Sequence, residues 1–104
     1  MKNRVDELIE ILFDESARED ERHDAAIYLF DFDDPQALNA FFKIGENKNQ
    51  LHILLEAAGE GIGEIWSRNN QINLKKLDKL TRISRNVALS IIRSKNPKLL
   101  MKLQ

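Results

Sequence analysis

Ala25-Ala26-Ile27-Tyr28-Leu29-Phe30-Asp31-Phe32-Asp33-Asp34-Pro35-Gln36-Ala37-Leu38 is the stretch on which the fold turns. Ala25, Ala26, Leu29 and Phe30 fall three and four apart, the spacing of one helix face. Acidic residues then interrupt that stripe, and Asp33-Asp34-Pro35 restarts the chain. An Asp side chain can accept an orphan N–H at a helix start, and proline at the first helical position has no hydrogen bond to lose. The expectation is one helix ending near Asp31, an acidic turn, and a second helix with Leu38, Phe41 and Phe42 inward. Joined by so short a turn, the two run antiparallel.

The same period extends in both directions. Val5, Leu8, Ile9, Leu12 and Phe13 make a stripe before a polar break, and Ser16 with Glu19 has the spacing of a capping box that would open the next helix. Beyond Phe42 the helix is expected to stop near Gly45, read as a left-handed cap. After Asn47-Lys48-Asn49-Gln50 comes a long stripe of Leu51, Leu54, Leu55, Ala58, Ile62, Ile65 and Trp66, ending by Asn69-Asn70. Leu74, Leu77 and Leu80 mark a fifth helix. Val87, Ala88, Ile91 and Ile92 mark a sixth, which must stop near Asn96 because Pro97 restricts the residue before it. Leu99, Leu100 and Leu103 suggest a final turn.

The chain has 104 residues, 42% hydrophobic and 32% charged, which fits one domain, residues 1–104, with a radius of gyration of roughly 13 Å. It has no cysteine, so disulfides and thiolate-held zinc are excluded. No apolar run approaches the roughly 20 residues that cross a bilayer, and Met1-Lys2-Asn3-Arg4-Val5-Asp6-Glu7 lacks a secretory apolar segment. The expected location is cytoplasmic, with no membrane partner.

Two segments repeat. Ala25-Ala26 and Ala57-Ala58 lie 32 residues apart, each inside a helical stripe where small side chains let a neighbouring helix approach. Asp20, Arg22, Ala25, Ala26, Asp34, Pro35, Ala37 and Leu38 supply an acidic residue, an arginine, a small pair and an Asp-Pro turn leading to Ala-Leu. In this the sequence resembles the short HEAT-like repeat family over about residues 16–66. The second copy lacks the arginine and the Asp-Pro turn. The fold class is therefore all-α: about six helices as antiparallel helical hairpins in a short HEAT-like solenoid or an irregular helical bundle.

Charge is segregated along the chain. Residues 1–66 hold sixteen acidic and six basic residues, a net of −10, whereas 67–104 hold ten basic residues and only Asp78, a net of +9. Such asymmetry implies a charged partner or internal pairing. Glu56, Glu60 and Glu64 stand four apart, where each like-charge pair destabilises an isolated helix by about 0.2–0.5 kcal/mol. Asp31 near a helix carboxyl end meets an unfavourable dipole worth roughly 0.3–1 kcal/mol. A basic partner would turn that repulsion into attraction. The competing structural reading pairs Arg68 with Glu64 and His52 with Glu56, and gives Asp33 and Asp34 a capping role. Tyr28, Phe32 and Trp66 are the aromatic residues least tied to the core: Phe32 could anchor an interface or plug the core's end, and Trp66 reads as core.

Other chemistries lack their residues. Gly59-Glu60-Gly61-Ile62-Gly63 lies inside a helical stripe with no preceding strand, so it reads as close helix contact or a bend and not as a phosphate loop. His23 and His52 have no second histidine at helical spacing, so no metal is expected. No nucleophile–base pair or metal set supports catalysis, and no cofactor or small-molecule substrate is expected. Lys75, Lys76, Lys79, Arg82 and Arg85 could neutralise phosphates. No aromatic follows Trp66 to stack a base, however, and the acidic half would repel a polyanion, so nucleic acid is not the expected partner.

Glu56-Ala57-Ala58-Gly59-Glu60-Gly61-Ile62-Gly63-Glu64-Ile65-Trp66, with the Leu-rich segment and the Ser84–Ile92 helix after it, is similar to helical immunity proteins of bacterial toxin systems, including contact-dependent growth inhibition. The resemblance implies a non-catalytic protein that binds a cognate toxin domain, often a basic nuclease, and occludes its active site. Partner-binding residues would then be Asp31, Asp33, Asp34, Glu56, Glu60 and Glu64 for charge, with Phe32 as anchor. The alternative is a self-associating HEAT-like scaffold or adaptor whose acidic and basic ends meet head to tail; an RNA-binding module ranks below both.

Overall fold

The computed structural model describes residues 2–103, without the side chains of 102 and 103. Six α-helices and a closing 3-10 turn make up the described residues: α1 Arg4–Phe13, α2 Glu19–Leu29, α3 Pro35–Gly45, α4 His52–Asn69, α5 Leu74–Lys79, α6 Arg82–Lys95 and the turn Pro97–Leu103. No strand occurs among them. The all-α expectation and its helix count are met.

Local chemistry sets most of the boundaries. Asn3 and Asp6 form a reciprocal cap on α1, the Asn3 side chain accepting from the Asp6 N–H at 2.9 Å. Asp34 accepts from the Gln36 N–H at 2.8 Å with Pro35 opening α3, as the Asp-Pro signal requires. Asn73 and Thr81 cap α5 and α6 in the same way, and Asn70 closes α4 in the left-handed conformation, φ 55°. Two expected caps fail. The Ser16–Glu19 box is absent because Asp14 captures both the Ser16 N–H, at 2.9 Å, and the Ser16 hydroxyl, at 2.6 Å; Glu21 instead accepts the Arg18 N–H at the start of α2. Gly45 is not left-handed. It is the last residue of α3, and no described glycine has a positive φ. Its role is space: a Cβ there would crowd Leu80 and Ser84, and its carbonyl accepts the Thr81 N–H at 2.8 Å.

The helices form two rows, α2–α4–α6 above α1–α3, with α4 central and packed on α2, α3 and α6. The start of α2 and the turn before α4 share one groove, lined by Arg18, Arg22, Asn49 and Leu51, while Arg68 at the end of α4 reaches Phe30 and Asp33 past the end of α2. Those two meetings, one at each end, make α2 and α4 parallel. α6 runs parallel to α4 as well, since the Ser84 hydroxyl donates to the Leu55 carbonyl at 2.6 Å and the Asn96 side chain to the Ser67 carbonyl at 3.0 Å. This is the order of stacked hairpins.

Glycines make the α4–α6 contact possible. A Cβ on Gly59 would collide with the Ser84 carbonyl and stand 2.9 Å from the Val87 Cβ; on Gly63 it would stand 2.7 Å from the Ile91 Cβ. Gly61, on another face, leaves room for the Phe41 ring. Leu8, Leu12, Leu29, Phe41, Leu54, Ile62 and Ile92 fill the buried centre, and Trp66 joins it with its ring 5.6 Å from that of Phe42. Arg22 is buried too, its Nε donating to the Leu12 carbonyl at 2.9 Å and so tying α2 to the end of α1. The radius of gyration is 13.0 Å.

Candidate functional site

One turn of helix separates each of Glu56, Glu60 and Glu64, so the three share a side of α4. Glu56 is exposed; Glu60 and Glu64 are half-buried. Glu64 is occupied: the Lys95 ammonium of α6 lies 2.7 Å from its carboxylate. Glu56 and Glu60 make no ion pair among the described residues. His52 does not reach Glu56, and Arg68 goes elsewhere, so neither of the two expected pairings forms.

Arg68 reaches back across the row to Asp33. Its Nη2 and Nε donate to one Asp33 oxygen at 2.8 and 3.0 Å, its Nη1 donates to the Phe30 carbonyl at 3.0 Å, and the Asn69 side chain adds a bond to Asp33 at 3.3 Å. The hydrogen bonds from Arg68 hold the Asp33 carboxyl below its ordinary pKa, with Asn69 adding to the effect. Asp33 therefore fastens the α2–α3 turn to the end of α4, while Asp34 caps α3. Asp31 is exposed and unpaired among the described residues. Phe32 is half-buried and packs against the core, so most of its ring serves the fold.

Of the seven expected contact residues, the structure leaves Asp31, Glu56 and Glu60 as free carboxylates and assigns Asp33, Asp34 and Glu64 to internal bonds. It also adds two residues that the sequence reading missed. Ile27 of α2 and Ile53 of α4 are 38% and 41% exposed. At 100° per residue Ile27 lies well off the Ala25–Ala26–Leu29 stripe, and Ile53 off the Leu54–Ala58–Ile65 stripe. Those off-stripe positions were the available signal. On α4, Ile53 sits one turn before Glu56 and Ala57. The α2–α4 pair and the turn after α2 thus carry three free carboxylates together with two exposed aliphatic side chains, a mixture of charged and apolar groups suited to a contact surface.

Elsewhere the chemistry is sparse. A groove of about 480 Å³ beside Trp66 is lined by Leu38, Asn39, Phe42, Asn73 and Lys76 among others, and Lys76 is its sole ionisable group, its ammonium 5.2 Å from the centre of the Phe42 ring. No group of three or more metal-ligating side chains gathers among the described residues. None of the described helices is long and apolar enough to cross a membrane. No protein-family model, curated protein sequence or solved structure matches the chain.

Proposed function

We propose that this chain is a non-catalytic binding protein whose α2–α4 face covers a basic protein, and that the partner is a cognate bacterial toxin domain, neutralised in the cytoplasm as by an immunity protein. The observation that carries the binding face is that Asp31, Glu56 and Glu60 make no ion pair among the described residues, on a helix pair that also exposes Ile27 and Ile53. Carboxylates of this kind suit the positive cleft of a nuclease, where they occupy the positions of substrate phosphates and speed encounter. Ile27 and Ile53 supply apolar surface for the partner to desolvate, and a few desolvated side chains supply most of the binding energy of an interface. The toxin assignment rests on the resemblance of the Glu56–Trp66 segment to helical immunity proteins.

The test begins with the reading frame immediately upstream. Under this reading it encodes a large secreted protein with a variable carboxyl-terminal domain, and an operon of unrelated enzymes in that place counts against a toxin. Titration calorimetry of that domain against the wild-type chain should show a tight one-to-one complex. The double reversal Glu56→Lys with Glu60→Lys should weaken it by roughly 100-fold, in the range found for truncated buried charge pairs, and Ile53→Ala by about tenfold. Unchanged affinity in both variants would place the interface on another surface.

A further inference from the structure

The basic half of the chain leaves an edge that the acidic face does not use. Arg82, Arg85 and Arg93 of α6, Lys75 and Lys79 of α5, and Lys98 make no ion pair among the described residues. α6 itself contains no acidic residue. It packs on α4 through Ser84, Val87, Ala88 and Ile91, which lie against Gly59 and Gly63. At 100° per residue, Arg82, Asn86 and Arg93 fall on the opposite side of the helix, and all three are exposed, as is Ser90. The outermost strip of the stack therefore exposes Arg82, Asn86, Ser90 and Arg93, hydrogen-bond donors with no carboxylate among them; Leu89, on the same side, is half-buried and packs against the core.

That composition decides the occupant. A protein interface needs an exposed apolar or aromatic centre; Leu89 is committed to the core, whereas the α2–α4 pair exposes Ile27 and Ile53. Arg, Asn and Ser side chains are the groups that bond phosphate oxygens. Repulsion by the acidic half, the sequence argument against a polyanion, loses its force in the fold. Glu56 and Glu60 stand on α4 and Asp31 beyond α2, with the width of α6 between them and the strip. We infer that this edge of α6 binds the phosphate backbone of nucleic acid without reading its sequence. Without an aromatic side chain the strip cannot stack a base. From Arg82 to Arg93 is about 16 Å along the helix, the axial rise of roughly five phosphates on one strand of a duplex. The inference concerns a surface separate from the toxin-binding face and stands or falls without it.

Fluorescence anisotropy with a labelled duplex of about 20 base pairs, in two unrelated sequences, tests it. Equal binding to both is expected. If Arg82 and Arg93 each neutralise one phosphate, the slope of log affinity against log salt is about −2, so raising salt fourfold should weaken binding roughly 12-fold. Arg82→Gln with Arg93→Gln should flatten that slope by nearly 2 and weaken binding at low salt at least fivefold, with the thermal midpoint unchanged. Glu56→Lys with Glu60→Lys, which destroys the proposed toxin face, should leave nucleic-acid binding as strong or stronger. No binding at low salt, or an unaltered slope in the arginine variant, overturns the inference. Displacement of the duplex by polyglutamate at equal charge concentration also overturns it, because the edge would then suit an acidic polypeptide.

Discussion

Arg68 shows how one long-range side chain redirects the meaning of its neighbours. Asp33 and Glu64 both belonged to the acidic surface expected from the sequence, and Arg68, four residues after Glu64, was that glutamate's natural helical partner. Instead it crosses to Asp33 and to the Phe30 carbonyl, and Lys95 takes Glu64. The lowered pKa of Asp33 makes this clamp visible to pH, since a carboxyl that is more acidic in the folded chain stabilises it only while ionised. Its contribution is full above the unfolded value of 3.8 and is lost as pH falls through the lower folded value. Urea midpoints of the wild type and Asp33→Asn should therefore differ by a constant amount at neutral pH and converge as the pH drops below 3.8. For Arg68→Ala the gap should narrow over the same range but not close, because the bond from Arg68 to the Phe30 carbonyl does not titrate. A gap that persists at the acid end for Asp33→Asn would mean that Asp33 acts through something other than its charge.

At the scale of elements, the α4–α6 contact gives the sharpest expectation. Alanine normally favours a helix over glycine by about 0.8–1.0 kcal/mol. At Gly59 the added Cβ meets the Ser84 backbone carbonyl, which can yield only if α6 moves, and overpacking of this kind costs about 1–3 kcal/mol. Gly59→Ala should thus lower stability by roughly 1–2 kcal/mol in chemical denaturation, against the sign of helix propensity. Gly63→Ala, which meets Ile91 and the Ala88 carbonyl at 2.7 and 3.0 Å, should cost less. A net gain in either variant would show that the helices are not held at this separation. The close approach was legible in the sequence, because three glycines inside an apolar stripe have few other uses. So were the Asp34-Pro35 start and the stop at Asn96, each set by the residue's own backbone chemistry. What failed was choice among local competitors: Ser16 had an acid on either side, and only the fold shows that Asp14 takes it. Gly45 looked like a cap because a glycine at a helix end usually is one, and the packing of Leu80 and Ser84 against it lies 35 residues or more away.

For the molecule as a whole, the segregation of charge was plain in the sequence, but which carboxylates stay free was not. The two decisive pairings, Arg68–Asp33 and Lys95–Glu64, span 35 and 31 residues. The exposed pair Ile27 and Ile53 was easier to overlook than to read, because its only signal, a position off the apolar stripe, sits directly beside core residues. Once folded, the chain carries free carboxylates and exposed aliphatic side chains on the α2–α4 pair, and a basic strip on the side of α6 turned away from α4. A head-to-tail scaffold would join the two. Such a contact does not close on itself and would add copies without limit. On the basic strip, however, the one apolar side chain, Leu89, is already packed against the core and leaves little for Ile27 and Ile53 to bury against, so attraction between copies would be coulombic, and exposed charges are screened within about 8 Å at physiological salt. Sedimentation of the purified chain at that salt should therefore report 12.1 kDa over a roughly hundredfold range of concentration, because no self-association is available for mass action to favour. A mass that climbs with concentration and falls back when salt is raised would make the acidic and basic surfaces each other's partners. It would leave neither of them free for a toxin or for nucleic acid.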